Sequence, residues 1–447
     1  MMKQISPPYE ILTKICSPQK ILPDINYVPA AFCLRIPCED GVLLYQTVTG
    51  ELLLLSEDEE KNLTVFPALR DELIKRRFLV PEGYDEKKHA DQIRNLAAIW
   101  SNNNTAITAF KIFTTMACNA RCFYCYEAGR PQPVMDEKTA RDTVAYIARV
   151  SGGEPVKLSW FGGEPLYNLK VIDLITGELQ SLGIDYESRM ISNGYLFDAE
   201  LAHRAAEKWK LKRVQITLDG TEDVYNRTKA FIYLEGSAYR RVLRNIGLLL
   251  DEGISVQIRL NMGAQNAEDL TRLVDELFAQ FGGREGLNVY AALLMAFDNN
   301  PFTAFHNDDV AMEKYAALQK KLLDCGFARK KGISKGIATN CCMADSDSTI
   351  TILPDGRIGK CEHESMENLI GSIYREGFDR DMVKAWKERV NAPACKTCPV
   401  YPLCTKLKKC EWNANGCTEL MRRIEIEKLR EKVLTSFEKL REQNETD

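Results

Sequence analysis

The sequence predicts an α/β protein built around an open, partial barrel of six strand–helix units, with a smaller domain before it and a cysteine-rich domain after it. Apolar residues recur at helical spacing between the predicted strands, as in Leu169, Ile172, Ile175 and Leu179. Alternating strands and helices are typical of a parallel sheet covered by helices, and six units are too few to close an eight-stranded barrel. The predicted strands are residues 111–116, 156–161, 187–192, 213–218, 255–262 and 288–295.

One face of these strands is predicted to be polar. In the fifth strand Gln257, Arg259 and Asn261 alternate with apolar residues, and Gln215 and Thr217 do so in the fourth. If the apolar set meets the helices, the polar set points into the barrel and lines a wet ligand cavity. An exposed sheet face is the alternative.

Three cysteines follow the first predicted strand as Cys118-Asn-Ala-Arg-Cys122-Phe-Tyr-Cys125. Thiolates are the protein ligands of iron–sulfur clusters, and three of them leave one iron of a 4Fe–4S cube free to bind another molecule. A zinc knuckle is the alternative, but zinc sites usually close with four ligands, and neither of the two nearest downstream histidines lies at finger spacing. The spacing therefore favours an iron–sulfur cluster.

Other special residues follow the carboxyl ends of the next predicted strands, which is where barrels of this type carry out chemistry. In chain order they are Gly162, Gly163, Glu164, Ser192, Asn193, Asp219 and Asn261.

The cysteine loop resembles, position for position, the CxxxCxxC motif of the radical S-adenosylmethionine (radical SAM) superfamily. This resemblance implies a partial (β/α)6 radical SAM barrel with a 4Fe–4S cluster on Cys118, Cys122 and Cys125. It also implies that the aromatic residue before the third cysteine, Tyr124, lies near the adenine of S-adenosylmethionine (SAM).

The segment Gly162-Gly163-Glu164 matches the SAM-amino motif of the same family. A carboxylate can accept hydrogen bonds from the ammonium of SAM, and paired glycines let the backbone come close. Ser192 and Asn193 resemble the family's contacts to the SAM ribose or carboxylate, with an ordinary Asn-Gly turn as the alternative.

Asp219 and Arg259 are two further candidates for contacts to the cofactor. Each can equally belong to a structural ion pair inside the barrel. The sequence leaves both interpretations open.

The C-terminal cysteines resemble the SPASM extension of radical SAM enzymes, which carries two auxiliary 4Fe–4S clusters. A zinc ribbon is the alternative, but its cysteines normally come as two CxxC pairs, and only one such pair is present. The resemblance implies a distal cluster on Cys395, Cys398, Cys404 and Cys417, and a proximal cluster on Cys342, Cys361 and Cys410.

Two features of this chain depart from the SPASM pattern. Five residues separate Cys404 from Cys410, where the family has three. The fourth ligand of the proximal cluster is also open, with Cys341, Cys325 and a substrate thiolate as candidates.

The N-terminal segment predicts a small domain of strands and helices. Turns at Asp40 and Thr49 join three strands into a meander, and Ser56 with Glu59 forms a capping box that opens a helix. This order resembles the winged-helix fold of a RiPP recognition element, which docks the leader of a ribosomally made precursor peptide. Winged helices more often bind DNA, but residues 57–88 carry nine acidic and seven basic side chains, which suits phosphates poorly. A peptide can instead add a strand to a sheet edge.

The predicted organisation is therefore threefold. Residues 1–92 form the winged-helix-like, leader-binding domain, and residues 93–310 form the radical SAM barrel. Residues 311–447 hold a bridging helix, the SPASM domain and a C-terminal helix.

Composition restricts the partners and the compartment. The formal net charge is -4 at pH 7, so no basic excess favours a nucleic-acid backbone. No stretch approaches the ~18 apolar residues of a membrane span, and the first residues lack the apolar core of a signal peptide. We expect a cytoplasmic protein with neither nucleic acid nor membrane as partner, since its 15 cysteines suit a reducing compartment.

These features together predict a radical SAM/SPASM peptide maturase that uses SAM and three 4Fe–4S clusters, one binding SAM and two auxiliary. The expected partners are a precursor peptide and a reducing protein such as flavodoxin or ferredoxin. By the resemblance, a 5'-deoxyadenosyl radical removes hydrogen from the peptide, and a thioether forms between a cysteine sulfur and a carbon. The alternatives are carbon–carbon crosslinking, an anaerobic sulfatase-maturase-like activity, and, from a different class, an iron–sulfur electron-transfer scaffold that does not cleave SAM.

Overall fold

The chain divides into two compact units, which we call the barrel unit and the terminal unit. The computed structural model of the protein describes residues 2–6, 9, 18–62, 65–101, 106–233, 235–294, 305, 307–334, 336–337, 339, 342–363, 368–410 and 416–446. The barrel unit comprises Asn104–Arg329 and Ser346–Lys387, and the terminal unit comprises Met1–Asn103, Lys330–Asp345 and Glu388–Asp447. The terminal unit thus combines segments from both ends of the chain, while the three domain boundaries expected from the sequence stay a prediction.

The secondary structure alternates strands and helices through the barrel unit. The strands are β1 Lys3–Ser6, β2 Tyr27–Pro29, β3 Cys33–Cys38, β4 Gly41–Gln46, β5 Glu51–Leu55, β6 Leu79–Pro81, β7 Ala109–Thr115, β8 Val156–Gly162, β9 Tyr186–Ser192, β10 Leu211–Leu218, β11 Ser255–Met262, β12 Leu287–Leu293, β13 Thr349–Ile352, β14 Arg357–Gly359 and β15 Gly371–Ser372. The helices are α1 Glu57–Lys61, α2 Pro67–Lys75, α3 Glu86–Ser101, α4 Glu137–Ser151, α5 Leu169–Ser181, α6 Ala199–Glu207, α7 Glu222–Lys229, α8 Ala238–Asp251, α9 Ala267–Phe281, α10 Asp308–Asp324, α11 Arg380–Lys387 and α12 Glu419–Thr446.

A nine-stranded sheet in the order β12-β11-β10-β9-β8-β7-β13-β14-β15 forms the centre of the barrel unit. The six strands from β7 to β12 are parallel and follow chain order, which confirms the predicted open barrel of six strand–helix units. The sequence did not indicate the other three strands. β13 pairs in parallel with β7, and β14 and β15 continue the sheet as antiparallel neighbours.

The helices of the barrel unit bury one apolar face, and several of them are capped by a side chain at their first turn. In α8 the buried positions include Val242, Ile246 and Leu249, spaced by four and three residues, and the Ser237 side chain accepts a hydrogen bond from the Arg240 N–H. Asp136 and Asp198 cap α4 and α6 in the same way. The caps fix where each helix begins, and therefore how much chain follows the preceding strand.

The strands show the predicted alternation between an apolar and a polar face. Ile216 and Ile258 are fully buried, while Gln215, Thr217 and Arg259 between them are half-buried. The parallel register places Thr217 beside Arg259, so the polar side chains of neighbouring strands share one face. The Tyr290 hydroxyl donates to Gln215 Oε1 at 3.1 Å on this face.

A four-stranded antiparallel sheet in the order β1-β5-β4-β3 lies in the terminal unit. The predicted meander is present as β3, β4 and β5, and Ser56 and Glu59 form the expected capping box at α1. β1 adds a strand beside β5 that the sequence did not indicate. Leu34, Ile36 and Leu43 of the sheet share a core with Val400 and Val433 from the C-terminal part of the chain.

Helices long and apolar enough to cross a bilayer are absent from the described part of the chain.

Gly162 ends β8 where that strand meets β7, and it provides a test of this packing. Its φ is +134°, and a Cβ added there would collide with the carbonyl oxygen of Thr115. We predict that Gly162→Ala lowers the free energy of unfolding of the barrel unit by about 1–3 kcal/mol from backbone strain alone. Gly177→Ala, in α5 with nothing within 4 Å, should raise it by roughly 0.5–1 kcal/mol. Thermal and urea unfolding followed by circular dichroism measure both, and a wild-type midpoint for Gly162→Ala would contradict the packing.

Candidate functional site

The cysteine loop begins at the carboxyl end of β7 and is held by backbone hydrogen bonds on two sides. Glu164 N–H donates to the Ala117 carbonyl at 2.9 Å, which ties the loop to the segment after β8. Arg121 N–H donates to the Lys229 carbonyl at 2.8 Å, and Ile232 N–H donates to the Asn119 carbonyl at 2.9 Å. The loop is therefore fixed by neighbouring elements rather than by regular structure of its own.

The three thiols of this loop are close enough to influence one another. The pKa of Cys118 is raised to about 12, mainly by burial and also by the charges of Glu164, Cys122 and Cys125, while the hydrogen bond from the Ala120 N–H opposes the rise. Burial raises the pKa of Cys122 and Cys125 as well. Free thiols here stay protonated, so only a bound cationic centre would make all three thiolates favourable. Three half-buried thiols in one loop fit the ligand set of an iron–sulfur cluster.

Gly162 and Gly163 bring the end of β8 against the start of the cysteine loop. A Cβ on Gly163 would lie 2.5 Å from the Met116 carbonyl oxygen, and Gly163 N–H donates to the Thr115 carbonyl at 3.1 Å. The sequence suggested that these glycines allow close approach to a ligand. The structure shows them packed against the end of β7 and the residues that follow it, and their approach to SAM stays a prediction.

The Glu164 carboxylate is fully buried and accepts three hydrogen bonds. Oε1 accepts from the Leu166 N–H at 3.2 Å and the Ser192 hydroxyl at 2.9 Å, and Oε2 accepts from the Asn193 N–H at 2.8 Å. Burial raises its pKa to about 7, although these three donors oppose the rise. The predicted residues Glu164, Ser192 and Asn193 thus lie together.

Asn193 also reaches the cysteine loop. Its Nδ2 donates to Asn119 Oδ1 at 2.6 Å, and Asn119 is fully buried. Within the described residues the Nδ2 of Asn119 has no hydrogen-bond acceptor. A buried donor of this kind needs an acceptor, and the carboxylate of a small ligand would satisfy it.

Tyr124 and Asp219 join a third residue, Lys229, in a buried network that the sequence did not indicate. The Tyr124 hydroxyl donates to Asp219 at 2.9 Å, and Lys229 Nζ donates to the Tyr124 hydroxyl at 2.9 Å and lies 3.1 Å from Asp219 Oδ2. Burial lowers the pKa of Lys229, but the charges of Asp219, Tyr124 and Cys122 raise it well above the ordinary value. Asp219 is therefore part of an ion pair, one of the two roles that its sequence context allowed.

A cavity of about 280 Å³ borders Tyr124 and Asp219. Its lining is mixed, because Phe123 and Val224 are apolar while Gln265 is polar. This volume is near the lower limit of small-molecule sites, which are mostly apolar with a few polar groups. The sequence did not single out the lining residues that follow β11 and β12, which are Gly263, Gln265, Asn266 and Leu294.

Arg259 lies away from this network, on the inward face of β11 beside Tyr290. Other cationic side chains face the same interior. The pKa of His363 is lowered to about 4, mainly by burial and also by the charges of Lys111, Arg259 and Arg130. Lys111 itself is buried and paired with Glu362.

The four cysteines expected to hold a distal cluster lie together in the terminal unit. Burial raises the pKa of Cys417, and Cys404, Cys398 and Cys395 all raise it further through their charges. The Arg94 guanidinium from α3 donates to the Cys404 carbonyl at 2.9 Å.

Arg94 and Tyr401 hold this cysteine loop in place, and the sequence did not indicate either role. Arg94 is buried, and it also donates to the Tyr401 carbonyl at 3.1 Å. The Tyr401 ring stacks on Phe32 at 5.8 Å, and its hydroxyl donates to Asp91 at 2.5 Å.

The remaining predicted ligands are divided between the units. Cys342 and Cys410 belong to the terminal unit, whereas Cys361 is buried in the barrel unit, where its sulfur accepts the His363 N–H at 3.4 Å. Cys325 ends α10, and Cys341 lies outside the described residues. In the described part of the chain no three His, Cys, Asp or Glu side chains lie close enough together to hold a single metal ion.

Sequence comparisons relate the region around this site to a known family. Residues 112–277 match the Radical SAM superfamily profile. An uncharacterised protein of Methanocaldococcus jannaschii is 30% identical over 112 residues, covering 24% of this chain and 37% of that protein. A probable GTP 3',8-cyclase of Archaeoglobus fulgidus is 28% identical over 304 residues, covering 63% of this chain and 95% of that protein. The chain thus spans little more than a third of the first relative and nearly all of the second.

Solved structures share the fold. The structure of native anSMEcpe with bound AdoMet and Cp18Cys peptide has a TM-score of 0.55 at 16% identity, covering 76% of this chain and 99% of that chain. Streptococcus suis SuiB bound to precursor peptide SuiA has a TM-score of 0.51 at 13% identity, covering 85% of this chain and 94% of that chain. The profile match, the parallel sheet and the three-cysteine loop agree on a fold of radical SAM type, and the superfamily that residues 112–277 match implies SAM and a 4Fe–4S cluster.

Proposed function

We propose that this protein is a radical SAM peptide maturase with auxiliary iron–sulfur clusters. The observation that carries the proposal is the cysteine loop at the carboxyl end of β7, where Cys118, Cys122 and Cys125 lie beside a buried carboxylate and a small cavity. A 4Fe–4S cluster held by these cysteines would supply the electron that cleaves SAM to methionine and a 5'-deoxyadenosyl radical. The residues of the chain would bind and orient SAM and the substrate, and would exclude water from the site.

The described residues fit the parts of SAM one by one. The buried carboxylate of Glu164 suits the ammonium, and the buried Nδ2 of Asn119 suits the carboxylate. The cavity beside Tyr124 suits the adenine, since it combines aromatic and polar surface. Ser192 and Asn193 orient Glu164 through their hydrogen bonds.

A peptide substrate is supported by two features. The fold is shared with proteins crystallised with the Cp18Cys peptide and with the precursor SuiA. The terminal unit also presents an antiparallel sheet in which β3 is one of the two outer strands, and an extended leader can pair with such an edge. We infer a leader-docking role, as in a RiPP recognition element, for the N-terminal sheet.

The proposed reaction forms a thioether between a cysteine sulfur and a carbon of the precursor. The radical removes one hydrogen atom from the carbon, the thiol loses its proton, and one electron leaves as the carbon–sulfur bond forms. Auxiliary clusters on the C-terminal cysteines would supply the acceptor for that electron. Carbon–carbon crosslinking would need the same site with a different substrate residue.

A nucleotide substrate is the second candidate. It is favoured by the likeness to the probable GTP 3',8-cyclase of A. fulgidus, of which the chain covers 95%. Incubating the reduced enzyme with GTP and SAM discriminates the two, because a cyclised nucleotide product would replace the peptide proposal.

Iron content tests the cluster assignment. Three 4Fe–4S clusters give about twelve iron atoms per chain after anaerobic reconstitution. Changing Cys118, Cys122 and Cys125 together to alanine should remove about four of them, whereas Cys33→Ala, at a β3 cysteine outside the predicted ligand sets, should remove none. Iron and sulfide analysis measures both, and about four iron atoms in the wild type with zinc in place of the rest would contradict the auxiliary clusters.

Calorimetry tests the role of Glu164. Glu164→Gln removes the charge that favours an ammonium, worth roughly 1.5–3 kcal/mol, so SAM affinity should fall about ten- to one hundred-fold. Ser192→Ala removes a neutral donor to the same carboxylate and should cost less than about tenfold. Unchanged SAM affinity in Glu164→Gln would mean that the carboxylate only stabilises the turn after β9 through its hydrogen bonds.

Mass spectrometry tests the substrate class. A cysteine-containing precursor incubated with SAM and reduced enzyme should lose two hydrogen atoms for each thioether, and 5'-deoxyadenosine should appear in equal amount. The same core peptide without its leader should be modified far more slowly, because docking raises its effective concentration at the site. Equal modification with and without the leader would show that the N-terminal sheet does not dock the leader.

A further inference from the structure

An exposed aromatic and cationic surface lies directly outside the cysteine loop. We call it the loop-side patch and define it by Arg121, Tyr167, Ile232, Tyr233 and Arg241. Ile232 is 48% exposed, and Tyr167 and Tyr233 are each 38% exposed. Exposed apolar groups that cluster in this way mark interaction sites more often than isolated ones do.

Direct contacts join this patch to the cluster-binding loop. Arg121 Nη1 donates to the carbonyl of Cys118 at 2.7 Å, and Ile232 N–H donates to the carbonyl of Asn119 at 2.9 Å. The hydroxyls of Tyr167 and Tyr233 lie 3.2 Å apart. The patch is therefore the protein surface adjoining Cys118.

The aromatic rings of the patch continue into the core. The Tyr233 ring stacks on Tyr195 at 5.0 Å, and Tyr195 stacks on Phe231 at 4.7 Å. The Arg241 guanidinium covers the Tyr195 ring at 4.5 Å. Tyr195 and Phe231 are buried, so the exposed members are held from beneath.

The charge of the patch is positive. Arg121 and Arg241 are exposed, and neither forms an ion pair with a carboxylate among the described residues. Tyrosine and arginine are enriched at protein interfaces, and uncompensated cations steer an acidic partner toward them.

We propose that the loop-side patch docks an acidic one-electron donor protein, of the flavodoxin class, that reduces the cluster on Cys118, Cys122 and Cys125. This proposal rests on the proposed function only in requiring that cluster. In the step, the reduced donor loses one electron and the cluster gains it, and no bond forms or breaks. The position of the patch favours an electron-donor protein over the peptide substrate. Its residues lie in the segments that lead from the strands into the helices, and not on the inward face of the strands.

Paired substitutions at Ile232 test the proposal. Ile232→Glu and Ile232→Lys place opposite charges at one exposed position, and Leu182→Glu adds the same negative charge at the amino end of β9, where Leu182 is 59% exposed. Each full-length, reconstituted variant is mixed with flavodoxin hydroquinone or with dithionite, and bleaching of the cluster is followed by stopped flow. Calorimetry with oxidised flavodoxin measures docking itself.

We expect Ile232→Glu to slow reduction by flavodoxin at least about tenfold at low salt, with weaker binding, while Ile232→Lys and Leu182→Glu stay near the wild type or exceed it. The difference should shrink at high salt, and dithionite should reduce all variants alike. Wild-type rates and binding in both Ile232 variants would overturn the proposal. Equal slowing with both reductants would also overturn it, because Ile232 would then support the cluster. Dithionite-driven cleavage of SAM by the wild type tests the proposed function separately.

Discussion

The site depends on holding a loop without regular structure so that three thiols lie beyond the end of β7, close enough to influence one another. Backbone bonds from Glu164, Arg121 and Ile232 fix the loop from two sides, and the buried trio of Tyr124, Asp219 and Lys229 fixes it from a third. Buried ionic groups are stable only when they are paired and hydrogen-bonded, so these partners must be in place before any ligand binds. The consequence is preorganisation, because the cysteines, the carboxylate and the cavity have fixed relative positions.

The parts of this arrangement that are local in sequence could be predicted. The cysteine spacing, the six strand–helix units and the capping box at Ser56 each depend on residues a few positions apart. Lys229 could not be found in this way, because its contact to Tyr124 spans 105 residues and no local pattern marks a lysine at the end of α7. The contact of Arg94 with Cys404 spans 310 residues. Paired glycines do not reveal what approaches them, because the same two residues permit close approach of a ligand or of a neighbouring strand.

The terminal unit combines both ends of the chain, and this limits how its two proposed roles can be tested separately. The N-terminal sheet shares an apolar core with Val400 and Val433, and Phe32 stacks on Tyr401 inside the loop that carries Cys398 and Cys404. Removing the sheet would therefore expose the core that supports these cysteines. Leader docking and cluster binding share one folding unit, so point substitutions distinguish them better than truncation.

Radical SAM activity is tested most directly by reductive cleavage of SAM by the anaerobically reconstituted enzyme, with methionine and 5'-deoxyadenosine quantified by liquid chromatography. Both products should form in equal amounts when dithionite is present, and neither should form without reductant. Iron-loaded enzyme that binds SAM, accepts an electron and yet forms no 5'-deoxyadenosine would contradict radical SAM activity. The iron–sulfur centres would then belong to an electron-transfer scaffold rather than to a radical enzyme.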